Sequence, residues 1–269
     1  SVPKRKTDLE GAEASLSGAA AAIPRGRLRV DVPAPIASLV LVPALPAFFA
    51  RYPEIQLELG VSDRSVDLID EDVDAVIRVG TAREGFLRAR HVADLALGLF
   101  AAPGYLQRVG RLAHPADLEQ SAHALIGFRA MRARAPLTLA MRRGDEAWRV
   151  TSAGPVAVDD GHAYLAAGVA GLGVVCLPRY LAAGTLARGE LVPLFGDWKL
   201  QPLALHLAYP PGRQASRKLR VFIDWGVELL DGRAPDITRP ALTTPGRPHK
   251  KRLRRELSSP PSTKATDAP

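Results

Sequence analysis

The sequence predicts an α/β fold built on alternating strands and helices, and three observations support this prediction. Leu28, Val30 and Val32 alternate with polar residues, which is the period of two expected of a half-buried strand. From residue 36 to residue 52 the apolar residues recur at helical spacing, which predicts an amphipathic helix. A second alternating stretch at 55–61 predicts another strand. The order strand, helix, strand is that of a βαβ unit, in which ligands bind at the carboxyl ends of parallel strands.

Prolines set the boundaries of this first unit. Pro33 and Pro35 end the first strand, because proline has no N–H to donate to a strand ladder. Pro53 ends the helix, because the residue before a proline avoids the α region. Pro43 and Pro46 lie inside the helical stretch, where each removes a donor, and we expect a kink or an irregular turn near them.

The alternation of short strands and helices continues as far as residue 230. Further strands are predicted at 73–79, 87–92, 95–101, 124–128, 155–158, 174–177, 191–194 and 203–209, with a hairpin across 137–150. Helices are predicted from residue 65, at 103–109, 115–118, 162–173 and 178–183, and at 216–230, where the apolar residues line one side. Asp159 and Asp160 directly precede the helix at 162–173 and would cap its N-terminus.

Composition excludes several classes of protein. The chain has 269 residues, of which 47% are apolar and 24% are charged, which is ordinary for one large globular domain or two smaller ones. No apolar run reaches the roughly 18 to 20 residues that a membrane helix needs, and no secretory signal is recognised at the N-terminus. We therefore expect a cytoplasmic protein with no membrane partner. Cys176 is the single cysteine, which excludes an intramolecular disulfide and a cysteine-based metal site.

The net charge of +8 is concentrated at one end of the chain. Residues 232–269 contain nine Lys and Arg against three acidic residues, whereas the remaining chain is nearly neutral. Proline, serine and basic residues dominate this tail, so disorder is expected. Its basic run at 249–255 could touch DNA phosphates without sequence preference, and a solvated tail is the alternative. At the other end, an alanine-rich helix is predicted at 7–22, and the break at 23–26 marks a domain boundary.

Several short motifs, in their order and spacing across 26–230, resemble the effector-binding region of LysR-type transcriptional regulators. The residues that carry the resemblance are Gly26-Arg27-Leu28-Arg29-Val30, Pro43-Ala44-Leu45-Pro46, Arg51-Tyr52-Pro53-Glu54-Ile55, Asp67-Leu68-Ile69, Val73-Asp74-Ala75-Val76-Ile77-Arg78, Ala101-Ala102-Pro103-Gly104-Tyr105-Leu106, Pro115-Ala116-Asp117-Leu118 and the stretch 168–178. The helix before Gly26 is similar to the end of that family's linker helix. The family's N-terminal winged helix-turn-helix has no counterpart in this sequence, so direct DNA binding by this chain is not expected.

The resemblance implies two Rossmann-like α/β subdomains with a central cleft, as in type 2 periplasmic binding proteins. Residues 1–25 would be a remnant of the linker helix, 26–98 and 206–231 subdomain I, 99–205 subdomain II, and 232–269 the basic tail. A small-molecule effector, expected to be a carboxylate, would bind in the cleft. The protein would be a homodimer or homotetramer that reaches DNA only through an N-terminal domain.

The strand-to-helix turn at 34–38 is the first candidate site. Free backbone N–H groups and the positive end of a helix dipole favour a carboxylate there, and a serine adds a hydroxyl. The candidate residues are Pro35, Ile36, Ala37 and Ser38. The alternative is a capped turn whose donors contact only water.

Ser62, Asp63 and Arg64 follow the second strand and, in the family's layout, face the same cleft. Arg64 would anchor an anionic ligand, whereas Ser62 or Asp63 would bind a polar one. Ordinary polar turn chemistry explains the same three residues equally well.

Three further positions approach the cleft in the family's layout. Arg78 and Gly80 end a buried strand, where an arginine needs solvent or a partner, and a salt bridge to Asp67 or Asp74 is the alternative to a cleft role. Phe128 and Arg129 end a strand of the second subdomain, with a simple surface arginine as the alternative.

The segment Asp159-Asp160-Gly161-His162 superficially resembles a metal or acid–base cluster. Two adjacent carboxylates and one histidine are too few ligands for a metal, and their spacing suits a helix cap, so Asp160 is retained only as a candidate effector contact. The glycines that follow it in the chain are not a phosphate loop, because no strand ends before them and no lysine follows. We therefore expect no cofactor, no metal and no enzymatic activity.

The sequence supports two functions. The first is the ligand-sensing domain of a LysR-type regulator, in which an effector shifts the population of subdomain or dimer arrangements. The second is a solute-binding protein of similar fold that delivers a small ligand to a transporter.

Overall fold

The structure is a computed structural model, and it describes residues 23–63, 72–80, 87–120, 124–129, 136–151, 154–211 and 216–232. The predictions made for the helix at 7–22, for the helix from residue 65, for Arg64 and for the basic tail lie outside the described residues.

The first sheet has five strands in the order β2-β1-β3-β13-β4. These are β1 (Gly26–Val32), β2 (Ile55–Val61), β3 (Ala75–Val79), β4 (Arg88–Leu95) and β13 (Leu203–Tyr209). Strand β1 runs parallel to both β2 and β3, which confirms the predicted parallel βαβ unit. Strand β13 is antiparallel to β3 and β4, so the chain returns to this sheet after its excursion through the rest of the molecule.

Helix α1 (Ala34–Arg51) connects β1 to β2. It begins with an α-helical turn at Ala34–Ile36, passes through a π-helical segment at Ala37–Leu41, and continues as α-helix over Val42–Arg51. The Val42 N–H donates to the Ala37 carbonyl, five residues back, directly before the first of the two internal prolines. The irregularity predicted near these prolines is therefore confirmed as a π-helical turn.

Helix α1 is also long and apolar enough, at 18 residues and a mean hydropathy of 1.6, to cross a membrane by length and composition alone, which the sequence had not led us to expect. The same apolar residues have another explanation. Ile36, Leu41 and Phe48 are completely buried against the first sheet. With 33% of the helix buried, packing against the first sheet accounts for part of its apolar character.

Helix α5 (Arg217–Gly232) packs beside α1 through aromatic rings. The ring of Phe48 lies 4.8 Å from that of Trp225 and 5.9 Å from that of Phe222, measured between centroids. These contacts join the end of the described chain to its first helix, and so close one hydrophobic core around the first sheet.

The second subdomain is built around β5 (Leu97–Ala101), which lies between antiparallel β10 and β11. Its elements are α2 (Pro103–Val109), a 3₁₀ turn (Pro115–Glu119), β6 (Gly127–Phe128), β7 (Thr138–Arg143), β8 (Glu146–Thr151), β9 (Ala157–Val158), α3 (Gly161–Val169), β10 (Val175–Pro178), α4 (Arg179–Ala187), β11 (Val192–Leu194) and β12 (Lys199–Leu200). Strands β7 and β8 form the predicted hairpin, and β12 adds a third strand to it that was not predicted.

Two hydrophobic cores divide the chain into two α/β subdomains. One core collects buried residues from 28–95 and 205–230, and the other collects buried residues from 99–198. The chain passes from the first sheet to the second between β4 and β5, and returns at the start of β13. This is the two-subdomain architecture that the resemblance implied, and it places the carboxyl ends of β1 and β2 toward the second subdomain.

Candidate functional site

The turn between β1 and α1 brings backbone donors to the edge of the first subdomain. Pro35, Ile36 and Ala37 are buried, whereas Ser38 is exposed. The Ser38 hydroxyl donates to the Ala34 carbonyl at 3.0 Å, inside the first turn of the helix. The Ala34 N–H belongs to the first turn of α1 and has no acceptor within the helix, so it is directed to a partner outside it.

That partner is Asp63, which follows β2. One carboxylate oxygen, Oδ1, accepts from the Ala34 N–H at 3.2 Å. The other, Oδ2, accepts from the Gly161 N–H at 2.6 Å. Gly161 is the first residue of α3, in the other subdomain. A single carboxylate therefore satisfies a backbone donor at the start of a helix in each subdomain.

These two hydrogen bonds do not keep the pKa of the Asp63 carboxyl at its ordinary value. Burial raises the pKa of the Asp63 carboxyl above its ordinary value and is the largest single effect on it, while the two backbone N–H groups lower it. The nearby charge of Asp160 raises the Asp63 pKa further, while His162 opposes it. Burial raises the pKa of the Tyr180 phenol, and the nearby charge of Asp63 raises it further. The surroundings of Asp63 therefore disfavour its ionised form relative to a carboxyl in water.

The start of α3 lies directly against the turn of the first subdomain. Gly161 is buried, and a Cβ atom at this position would lie 2.6 Å from Cγ of Pro35, which is closer than real side chains approach. The Asp160 side chain accepts from the Ala163 N–H at 2.7 Å, which confirms the predicted helix cap. The site therefore depends on a glycine that lets α3 approach Pro35 and on an aspartate that caps the same helix.

Ser38 and His162 form a second polar contact between the subdomains. The Ser38 hydroxyl lies 3.0 Å from Nε2 of His162. His162 was not among the effector contacts predicted from the sequence. Its place in the first turn of the helix that Asp160 caps was a sequence signal that His162 lies near the candidate site. Nothing in the local pattern, however, indicates that its partner is Ser38, 124 residues away. We use "the junction" for the contact formed by Pro35, Ser38, Asp63, Gly161 and His162.

Arg78 is held by a carboxylate of its own sheet. Its Nη2 atom lies 2.7 Å from Oδ1 of Asp31, with side-chain exposures of 16% and 8%, and its Nη1 donates to the Ile77 carbonyl. The partner found in the structure, Asp31, was not considered from the sequence; of the two that were, Asp74 is not paired with Arg78 and Asp67 lies outside the described residues. Gly80 has a φ of 95° and donates to the Ala204 carbonyl at 2.7 Å, a conformation that favours glycine.

The remaining candidates lie on either side of the junction. The Ser62 N–H donates to the Val32 carbonyl at 3.0 Å, which extends the pairing of β1 and β2. Phe128 packs against Tyr164 of α3, with ring centroids 5.2 Å apart. Arg129 is exposed, and its N–H donates to the Val158 carbonyl. Of the predicted positions, the structure brings together the turn at 34–38, Asp63 and Asp160, while Arg78 is engaged within the sheet.

Cys176 and the potential metal ligands of the described chain do not form a reactive site. Cys176 is buried, burial raises the pKa of its thiol to about 12, and its backbone N–H donates to the Tyr164 hydroxyl. In the described part of the chain, no group of three or more His, Cys, Asp or Glu side chains is placed to hold a metal ion. The chemistry of the junction is therefore that of hydrogen bonding and charge.

Comparison with known proteins gives a consistent picture. The family described as LysR substrate binding domain matches residues 21–231. A helix-turn-helix-type transcriptional repressor of Pseudomonas aeruginosa (strain UCBPP-PA14) is 35% identical over 222 residues, which cover 82% of this chain and 69% of that protein. The chain thus spans about two thirds of the length of this relative.

Solved structures of regulatory domains share the fold. The regulatory domain of CrgA, a LysR-type transcriptional regulator from Neisseria meningitidis, is similar with a TM-score of 0.66 and 27% identity, covering 77% of this chain and all of that one (100%). The effector domain of the transcriptional regulator AmpR of Pseudomonas aeruginosa is similar with a TM-score of 0.61 and 25% identity, covering 78% of this chain and 98% of that one.

Proposed function

We propose a mechanism from one premise: the chain belongs to the LysR substrate-binding domain family and is the ligand-sensing regulatory domain of a LysR-type transcriptional regulator. The relatives are transcriptional regulators, so the alternative of a solute-binding protein has no support among them, and we propose no catalytic role. What remains to be assigned is the chemistry of the effector and the way its binding is transmitted.

The effector that we propose is a small carboxylate bound between the two subdomains. The observation that carries this proposal is the convergence of two helix starts on one carboxylate, that of Asp63. Helix N-termini favour negative charge because their first N–H groups are unsatisfied and aligned with the dipole. The Ser38 hydroxyl and His162 lie beside the same point and supply further polar contacts.

The residues that we propose to surround the effector are those expected from the sequence, together with His162. Those expected from the sequence are Pro35, Ile36, Ala37, Ser38, Ser62, Asp63, Arg64, Arg78, Gly80, Phe128, Arg129 and Asp160. Among them, Asp63 and the turn at 34–38 have the strongest support from the contacts at the junction. The support for Arg78 is weaker, because its guanidinium is paired with Asp31.

Transmission would follow from a shift in population between two arrangements of the subdomains. An effector bound between the subdomains favours whichever arrangement it binds more tightly, by the difference between its affinities for the two states. That arrangement would in turn change how helix-turn-helix domains of the regulator engage DNA. We propose that this chain reaches DNA only through such a domain, and that it acts in the cytoplasm without a membrane partner.

Self-association is the other part of the proposal, as a homodimer or homotetramer. Leu39 and Val42 on α1 and Val61 at the end of β2 are 42%, 49% and 54% exposed, three of the seven large apolar residues that are exposed in the described part of the chain. Strand β2 is also an end strand of the first sheet. Light scattering on the wild-type chain and on Val42→Lys tests this: we expect an assembly larger than a monomer that the lysine weakens.

A matched thermal-shift screen tests the carboxylate effector. Benzoate and octanoate would be compared with benzamide and octanamide, which have the same shape without the charge. A ligand that binds only the folded state stabilises it by about 2.7 kcal/mol at a concentration of roughly 100 times its Kd. We expect stabilisation by an acid and a smaller effect of its amide. Equal stabilisation by acid and amide would refute an anion site, and Ser38→Ala should weaken whichever acid binds.

A further inference from the structure

The position that an effector carboxylate would take is already filled by a carboxylate of the chain. Oδ1 of Asp63 is 3.2 Å from the Ala34 nitrogen, in subdomain I, and Oδ2 is 2.6 Å from the Gly161 nitrogen, in subdomain II. Each oxygen therefore serves a different subdomain. Because a bridging group of this kind lowers the energy only of the arrangement in which both helix starts are close, its effect is to favour that arrangement.

Asp63 lies in the middle of the junction. On one side, the Pro35 ring meets the Gly161 backbone so closely that no side chain fits between them. On another, the Ser38 hydroxyl meets Nε2 of His162 at 3.0 Å. These contacts all involve the first turn of α1 or of α3, so a change at Asp63 acts directly on the place where the subdomains touch.

The same surroundings make Asp63 replaceable. The charged groups that face it are Asp160, which repels it, and His162, which attracts it, with the Tyr180 phenol also nearby. The surroundings of this carboxyl disfavour its ionised form relative to water, with burial as the largest cause and the two N–H bonds opposing it. If another carboxylate took over the two N–H groups, the donors would remain satisfied and Asp63 would regain water. The exchange therefore has little intrinsic cost.

We propose that Asp63 is an internal ligand of the cleft, which holds the two subdomains together in the absence of effector and sets specificity by requiring an effector carboxylate to replace it at the Ala34 and Gly161 N–H groups. The exchange part rests on the proposed carboxylate effector. The holding part does not, since it concerns the effector-free protein. Uncharged ligands, which cannot offer two anionic oxygens, would leave Asp63 in place.

Two variants separate the holding part of the proposal from the exchange part. Asp63→Ala removes both acceptor oxygens, whereas Asp63→Asn has the same shape but loses the charge and keeps one acceptor. Asp94→Asn is the matched control, because Asp94 is an exposed carboxylate on β4 that pairs with His91, away from the junction. Circular dichroism and thermal unfolding on the full chain establish that each variant is folded, and the isosteric asparagine provides a second reading if the alanine variant is unstable.

The first measurement is the distance between the subdomains without effector. Spin labels at Gln56→Cys on β2 and Gln107→Cys on α2 occupy exposed positions in the two subdomains, and the buried Cys176 does not compete for label. We expect the distance distribution to broaden and lengthen in Asp63→Ala, to change less in Asp63→Asn, and to stay unchanged in Asp94→Asn. An unchanged distribution in both Asp63 variants would overturn the holding role and leave Asp63 as a simple cap of two helices.

The second measurement is the affinity for benzoate by calorimetry. With the internal competitor removed, we expect Asp63→Asn to bind benzoate about tenfold more tightly than wild type, which corresponds to about 1.4 kcal/mol. Equal affinity in the two proteins would overturn the exchange while leaving the carboxylate effector standing. If neither wild type nor Asp63→Asn binds benzoate or octanoate, but the distance between the spin labels still changes in the Asp63 variants, the carboxylate effector and the exchange both fail and the holding role is supported.

Discussion

Oδ2 of Asp63 accepts a 2.6 Å hydrogen bond from the backbone N–H of Gly161, 98 residues further along the chain and in the other subdomain. Through its second oxygen the same carboxylate binds the start of α1. The Asp63 carboxylate therefore lies between the two hydrophobic cores, at the N-terminal, positive ends of the dipoles of α1 and α3.

Gly161→Ala should force the subdomains apart at the junction. The added Cβ would lie 2.6 Å from Cγ of Pro35, a ring atom with little freedom to move, so we expect a loss of about 1–3 kcal/mol in the free energy of unfolding. Urea denaturation measures it. The control is Gly104→Ala near the start of α2, where a Cβ meets nothing within 4 Å and helix propensity favours alanine. Equal stabilisation by both substitutions would contradict the close contact.

Asp160→Ala should destabilise α3 by removing its N-terminal cap. The side chain accepts from the Ala163 N–H at 2.7 Å, and loss of such a cap costs about 1 kcal/mol. Thermal unfolding measures the change, and Asp160→Ser, which keeps an acceptor oxygen, should recover most of it. If the Asp160→Ser and Asp160→Ala variants are equally destabilised, the Asp160 carboxylate acts through its charge and not as a cap.

The stability difference between wild type and Asp63→Asn should depend on pH with a defined sign. Burial raises the folded-state pKa of Asp63 above 3.8, so the folded protein holds this proton more tightly than the unfolded chain. The contribution of Asp63 to stability is therefore fully present below about pH 4 and is lost as the pH rises through the folded pKa.

Urea unfolding of both proteins from about pH 4 to about pH 7 tests this sign. Wild type should lose stability relative to Asp63→Asn as the pH increases across the lower part of that range. A relative gain would mean that the N–H bonds from Ala34 and Gly161 outweigh burial, and that the folded pKa is lowered. Asp94→Asn, at an exposed position, serves as the reference for general effects of losing a charge.

Arg78→Met should be destabilising because it removes the cation beside a buried carboxylate. The Arg78 and Asp31 side chains are 16% and 8% exposed, and loss of one partner of such a pair costs about 3–5 kcal/mol. Arg27→Met breaks the ion pair with Glu58, whose side chains are 64% and 47% exposed, and should cost less than about 1 kcal/mol. Denaturant midpoints compare the two. Adding Asp31→Leu to Arg78→Met should restore stability, whereas further loss would argue against the pair.

The parts of the fold that were correctly predicted are those with long local patterns. The alternation of Leu28, Val30 and Val32, the helical spacing across 36–52 and the prolines around it were enough to predict β1, α1 and β2, and the structure confirms them. The cap by Asp160 was predictable for the same reason, since the capping carboxylate and the Ala163 N–H that donates to it lie within one helical turn. Strand β12, with two residues, is too short to show any period.

The contacts that make the site depend on residues distant in the chain. Periodicity records whether a residue faces the core or solvent, which is a property of its own element, so it indicated that Arg78 needed a partner without identifying Asp31. Which donors meet Asp63, and that His162 meets Ser38, depend on how two separately folded cores are placed against each other. The local patterns thus predicted most of the elements, the family and the helix starts, whereas the convergence of both starts on one carboxylate follows only from the packing of the two subdomains.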